Sequence, residues 1–172
     1  MKPYVRGKSI FFREVTPEDA EFIVNLRTDP LKSRHLSATS ADISKQKEFI
    51  STYASSETDF YFIICDWAQQ PMGTIRIYDI KEHSFCWGSW ILANGHPASA
   101  AVESAILIYD FAFFALHYER SHFDVRKENT RVVEFHKRFG AQVTGEDELN
   151  LYFNYERDAY VSIRERYRRF LP

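Results

Sequence analysis

The chain has little of what would staple, loosen or anchor it. Two cysteines stand in 172 residues, Cys65 and Cys86, each inside a strand-like run. That excludes a disulfide scaffold and points to buried free thiols in a reducing compartment. Six glycines and six prolines are scattered, so there is no linker, repeat or low-complexity tract. No apolar run approaches the roughly 18 residues of a membrane span, and residues 1–12 hold no apolar stretch of the signal-peptide kind. Neither sign of charge dominates: 22 basic against 24 acidic residues, a net of −2. A dedicated nucleic-acid binder would carry a basic excess. The expectation is a cytoplasmic domain that binds neither nucleic acid nor membrane; a homodimer stays open.

Aromatic residues are plentiful instead. Fifteen Phe, ten Tyr and three Trp make up 16% of the chain, and these rings need cover. The length suits one domain with a substantial core.

Hydrophobic spacing gives the element order. Residues 9–15 read as a strand. Thr16-Pro17-Glu18-Asp19 is a helix start, with a capping Thr, an early Pro and an acid three residues on. Ala20, Ile23 and Leu26 then recur at helical spacing. A second helix follows Ser40, with Ile43, Ile50 and Tyr53 on one face. Residues 60–67, 72–80 and 85–92 read as an antiparallel meander. The loop Asn94-Gly95-His96-Pro97 leads into a helix over 98–116, apolar nearly all round and hence buried. In this reading Phe111, Phe113 and Phe114 all lie on that buried helix. Residues 121–126 form a strand, Asn129 starts a helix closed by Gly140, and residues 141–144 and 149–155 are the last strands. The fold class is a mixed, mostly antiparallel α/β sheet flanked by helices.

Residues 157–172 form a basic helical extension to a domain over 1–156. Five arginines against Asp158 and Glu165 give it +3, leaving −5 for the rest. It reads either as a solvated helix packing Tyr160, Ile163, Tyr167 and Phe170 on the body, or as a site for phosphate groups.

The middle of the chain resembles the GNAT (GCN5-related N-acetyltransferase) family, especially its ribosomal-protein-acetyltransferase-like branch. The residues that carry the likeness are Gly88-Ser89-Trp90, Glu103-Ser104, Ala112-Phe113, Arg120, Asn129 and Phe139-Gly140, in order and without a gap. Leu26-Arg27-Thr28-Asp29 and the outer strands fit as well. The likeness spans nearly the whole chain apart from the Arg-rich tail. It implies an acetyl-CoA-dependent N-acetyltransferase acting on a small-molecule primary amine.

One departure concerns the pyrophosphate loop. The family has glycines where this chain has Pro97 and Ser99. Such a loop aims backbone N–H groups at an anion from the positive end of a helix, and Pro97 has none to offer. The amides of Ala98, Ser99, Ala100 and Ala101 are the expected donors. The family also pairs the pantetheine arm with strand backbone, here between Ile91 and Ala93. Asn129 matches a residue that contacts that arm, although a plain helix cap explains an Asn there equally well. Gly7-Lys8-Ser9 imitates the end of a P-loop, but the glycine needed five positions earlier is Lys2.

His136 stands seven residues after Asn129, where relatives place a Tyr that protonates the leaving thiolate. Imidazole can do that near neutrality, and a core histidine is the competing reading. For the base that takes the acceptor's proton, His35 heads the candidates; Asp79, Glu82, His83 and a water chain stay open. Glu103 reads as an ordering residue for the loop or the cofactor surroundings. His117 and His122 lack partners for a metal site.

The acceptor reads as a nucleotide-linked amino-sugar. The first helix and its loop, through His35-Leu36, resemble those of nucleotide-amino-sugar acetyltransferases. Tyr61, Trp87 and Trp90 either stack an acceptor or pack the core. Two other readings stand: a protein N-terminal or other peptide amine, which an acidic groove would favour, and a non-catalytic acyl-CoA-binding module, which Pro97 would favour.

Overall fold

The computed structural model describes residues 4–35 and 39–172; Lys2 and Leu36 lie outside the described residues. Eight strands build one sheet. They are β1 (Val5–Arg6), β2 (Ile10–Glu14), β3 (Phe60–Asp66), β4 (Pro71–Lys81), β5 (Ser84–Leu92), β6 (Arg120–Arg126), β7 (Gln142–Glu146) and β8 (Asn150–Glu156). Their order is β1-β2-β3-β4-β5-β6-β8-β7, antiparallel throughout except for β5 and β6. The expected mixed, mostly antiparallel sheet is what forms.

Strand alternation sends apolar residues to both faces, so each face needs its own cover. On one face lie α1 (Ala20–Thr28) and α2 (Ile43–Tyr53), which bury Ile23 and Ile50 against Phe11, Tyr61 and Ile63. On the other lie α3 (Ala100–Asp110) and α4 (Thr130–Arg138), which pack on Phe12, Phe62, Ile75, Phe85 and Trp87. The aromatic excess is absorbed mainly there. Tyr109, fully buried, stands within 6 Å of the rings of Trp87, Phe113, Phe139, Tyr155 and Tyr160.

The helix expected over 98–116 is α-helical only to Asp110. It then widens into a π-helical turn over Phe111–Ala115, where Leu116 N donates to Phe111 O at 3.0 Å. The wider turn rotates the end of the helix. Phe113 stays buried, but Phe114 is turned out to 43% exposure, against the expectation that all three phenylalanines are covered.

The C-terminal extension runs on from β8 as α5 (Arg157–Arg164) and a 3-10 turn over Glu165–Phe170. Tyr160 anchors it: the side chain is fully buried and its hydroxyl donates to Asp110 Oδ1 at 2.6 Å. Arg164 grips the same carboxylate with two bonds of 2.8 Å. Tyr167 lies 4.8 Å from the Phe139 ring. Gly140, at φ 106°, turns the chain out of α4 where a Cβ would strike the Tyr155 hydroxyl. Both thiols are buried and free, and burial pushes Cys86 up to about 11.

Candidate active site

The site grows from one irregular strand. Strand β5 pairs with β4 along its length, but Arg76 faces Gly88 while Thr74 faces Ile91, so β5 carries one extra residue. Ser89 sits in that bulge at φ 48° and its carbonyl accepts a 2.6 Å bond from Thr74 Oγ1. A bulge bends its strand and increases its twist. Pairing between β5 and β6 is accordingly confined to Ser84–Arg120 and Phe85–Ser121, after which the strands part. The gap is a slot of 380 Å³ through the sheet, walled by Tyr78, Trp87, Ser89, Trp90, Phe123, Asp124, Asn129 and His136, among others.

On the α3–α4 side the slot meets a cavity of 440 Å³. Its floor is Trp90, Ile91, Leu92, Ala101 and Val102; its cations are Lys32, Arg131 and Arg138, and no acid among the described residues lines it. Here begins α3. Ala100 N donates to Pro97 O at 3.0 Å and Glu103 N to Ser99 O, but the amides of Ala98, Ser99, Ala101 and Val102 have no protein partner. Four open N–H groups at the positive end of an eleven-residue helix suit a pyrophosphate. Pro97 costs none of them. Of the four expected amides, Ala100 is the one that does not fit, being committed to Pro97 and fully buried.

The strand backbone also differs from expectation by one residue. Ala93 N donates to Met72 O at 2.7 Å, so it faces β4 and not the gap. Backbone groups alternate sides along a strand, which turns Leu92 rather than Ile91 or Ala93 toward the gap; the Ile91 side chain still lines the cavity. The Asn129 side chain makes no capping bond. It borders both the slot and this cavity. Trp90 bridges the two by donating Nε1 to Ser104 Oγ at 3.0 Å on α3.

His136 is buried to 4% and surrounded by rings, with Phe123 at 4.5 Å, Trp87 at 5.4 Å and Phe153 at 5.7 Å. Its Nδ1 has no partner. Burial pulls its pKa down to about 3, so at neutral pH the imidazole carries no proton to spare. Of the two readings of this position, its burial among rings suits the core histidine better than a charged acid. Tyr78 is the hydroxyl that sequence reasoning missed: it lines the slot beside Gly88, whose missing side chain leaves room for it, and burial keeps it protonated.

His35, in the 3-10 turn Ser33–His35 after α1, borders the slot and the donor-side cavity together. The other candidate bases are elsewhere. Asp79 pairs with His122 and Lys81, both at 3.1 Å, while Glu82 and His83 line a separate depression at the β4–β5 turn. That turn is the zipped end of β5 and β6, where Ser84 Oγ meets His122 Nδ1 at 2.5 Å. Glu103 orders neither loop nor cofactor pocket. It accepts the amides of Ser9 (2.8 Å) and Ile10 (3.3 Å) and the Ser9 hydroxyl, fixing the β1–β2 turn to α3. No group of three metal-ligating side chains occurs among the described residues.

On the α1–α2 side the slot opens into a third cavity of 280 Å³, lined by Arg27, Lys45, Phe49, Tyr61, Arg76 and Ser89, among others, again with no acid among the described residues. Arg27 and Ser89 line this cavity and the slot alike. Tyr61 and Trp87 are core residues at 3% and 4% exposure, Trp90 packs partly buried against the same core, and all three line a cavity.

A sheet split between one parallel strand pair, with a helix start aimed into the split, is the frame of an acyl-CoA-dependent acetyltransferase. Residues 9–142 match the family model of the acetyltransferase (GNAT) domain, and the chain belongs to that family. Among solved structures it is similar to FdhC, a nucleotide-linked sugar GNAT in its apo form, at 40% identity and a TM-score of 0.90 over 98% of each chain. It also resembles the spermidine N-acetyltransferase of Vibrio cholerae in complex with CoA and spermine, at 16% identity and a TM-score of 0.80, covering 89% of this chain and 98% of that one. A GCN5-related N-acetyltransferase from Brucella melitensis follows at 15% and 0.79, over 95% and 83%. These last two share the fold. No curated protein matches the chain. The protein is an N-acetyltransferase whose acyl donor is acetyl-CoA, the family's co-substrate. No helix among the described residues is long and apolar enough to cross a membrane.

Proposed function

We propose that the enzyme acetylates the primary amine of a small nucleotide-linked amino-sugar. One observation carries this reading: the slot opens away from the donor cavity into a chamber with three cations and, among the described residues, no acid. Such a chamber attracts an anionic acceptor and repels a polyamine. It is the opposite of the acidic groove a peptide N-terminus would call for. The 40% identity to a nucleotide-linked sugar GNAT supports the same reading.

Acetyl-CoA supplies an acyl carbon activated by sulfur. Transfer forms a C–N bond and breaks the C–S bond; the amine loses a proton and the thiolate gains one. Ala98, Ser99, Ala101 and Val102 receive the pyrophosphate through their amides, with Arg131 and Arg138 adding charge from α4. Leu92 and Asn129 hold the arm. His35, at the meeting of slot and donor cavity, takes the amine's proton. Tyr78 supplies the protonated hydroxyl on the slot wall. His136 acts as a neutral hydrogen-bonding group at the floor, where its open Nδ1 finds a partner only when the slot is filled. The buried free thiols support the cytoplasm as its address.

The test is thiol release from acetyl-CoA in an acceptor screen. Nucleotide-linked amino-sugars should drive it, with spermidine and N-terminal peptides at background. Preference for either of the latter would overturn the reading.

A further inference from the structure

We propose that the chamber between α1, α2 and β4 is a nucleoside-diphosphate subsite, in which Arg27, Lys45 and Arg76 hold the two phosphates and Phe49 carries the base. The proposal rests on the nucleotide-linked reading of the acceptor and assigns its parts to residues.

Arg76 is the centre of the argument. Its Nη2 is tied to Asp59 at 2.7 Å, which fixes the plane of the guanidinium. Three rings surround its carbon: Tyr78 at 5.0 Å, Phe49 at 5.2 Å and Tyr61 at 5.9 Å. Its Nε is buried with no partner. A desolvated donor without an acceptor is costly unless an incoming oxygen satisfies it, and a guanidinium offers the forked geometry that phosphate accepts. Asp59 stands outside the lining, and the described residues that line the chamber are cationic, polar or aromatic, as a diphosphate requires.

Phe49 is the second observation. It stands at the rim on α2 with 41% of its surface exposed, although its ring is braced edge-on by Tyr61 at 6.3 Å and by the Arg76 guanidinium. An open, rigidly backed ring beside a cationic groove is the pairing that binds bases by stacking and phosphates by charge. Arg27 and Ser89 belong to both chamber and slot, so a ligand anchored here presents its next group, the sugar, to the slot.

The experiment is calorimetry on the full chain, saturated with CoA so that the donor cavity cannot take a nucleotide. The probes are uridine diphosphate, thymidine diphosphate, inorganic pyrophosphate and uridine. Both diphosphates should bind, pyrophosphate about tenfold more weakly and uridine at least about 100-fold more weakly. Phe49→Ala should reduce the diphosphates to the affinity of pyrophosphate and leave pyrophosphate unchanged, while Phe49→Trp restores stacking. Arg76→Lys, which keeps the charge but loses the fork, should weaken diphosphates and pyrophosphate alike by about tenfold. CoA binding to each variant reports that it is folded. Diphosphate binding indifferent to both positions, or absent in the CoA-saturated wild type, overturns the subsite. If the diphosphates bind as described and no nucleotide-linked amino-sugar is acetylated, the subsite stands and the acceptor reading falls. If such sugars are acetylated and Phe49→Ala and Arg76→Lys leave their KM unchanged, the acceptor reading stands and the subsite falls.

Discussion

The two cavities that meet in the slot are both cationic, and they are cationic in different ways. The donor-side cavity offers backbone: four open amides at the start of α3, fixed by a helix that is buried over most of its length. The acceptor-side chamber offers side chains: Arg27, Lys45 and Arg76, from three elements, around an exposed ring. Backbone donors cannot change without changing the fold, so they suit the co-substrate that the whole family shares. Side chains can change one at a time, so they suit the acceptor that distinguishes one member from another. The body of the chain carries −5, yet no acid among the described residues lines either opening, so the positive charge is placed locally rather than inherited from composition.

This contrast makes separable demands. The largest effect falls on the slot between the two cavities. His136 takes up a proton near pH 6.5 in the unfolded chain and only near 3 in the folded one. Its contribution to stability is therefore complete above about pH 6.5 and is lost as pH falls toward 3. Between pH 7 and pH 4 the wild type should lose roughly 3 kcal/mol more than His136→Phe does, measured by urea unfolding at the two pH values. Equal losses would remove the neutral buried imidazole, and turnover of His136→Phe at neutral pH reports how much its open nitrogen contributes.

Next in size is Ser99→Asp. A carboxylate at the helix cap position helps α3 fold, so any loss is not misfolding. Beside a pyrophosphate it should weaken acetyl-CoA on the order of 100-fold and leave the acceptor KM alone, as titration and steady-state kinetics would show. The mirror-image change, Lys45→Glu at the other opening, should raise the acceptor KM about tenfold at low salt. Acetyl-CoA affinity should not move. If both changes moved both constants, the division between backbone donor site and side-chain acceptor site would be wrong.

The same contrast explains what could be read from the chain alone. The donor side is contiguous in sequence: bulged strand, loop, helix start, then Asn129 one helix and one strand later. The likeness to the family points to it, and the hydrogen-bond parity of Ala93 and the commitment of Ala100 escape. The acceptor side is not contiguous. Arg27, Lys45 and Arg76 each look like an ordinary surface charge, and only the packing of α1 and α2 over β4 brings them together. The π-helical turn at Phe111 escaped because its residues fit an α-helix equally well. His136 was visible as a position but not as a chemistry, since its protonation depends on rings contributed by β5, β6 and β8.

Glu103 adds a consequence for how the enzyme is made. Its carboxylate closes a contact with Ser9 across 94 residues, from the first hairpin to the helix that starts the donor site. Closing so long a loop costs chain entropy, and contacts of long sequence range slow folding. The first hairpin thus emerges from synthesis long before the group that will satisfy its amides exists. The beginning of the chain is thereby tied to the same helix whose first turn borders the donor-side cavity.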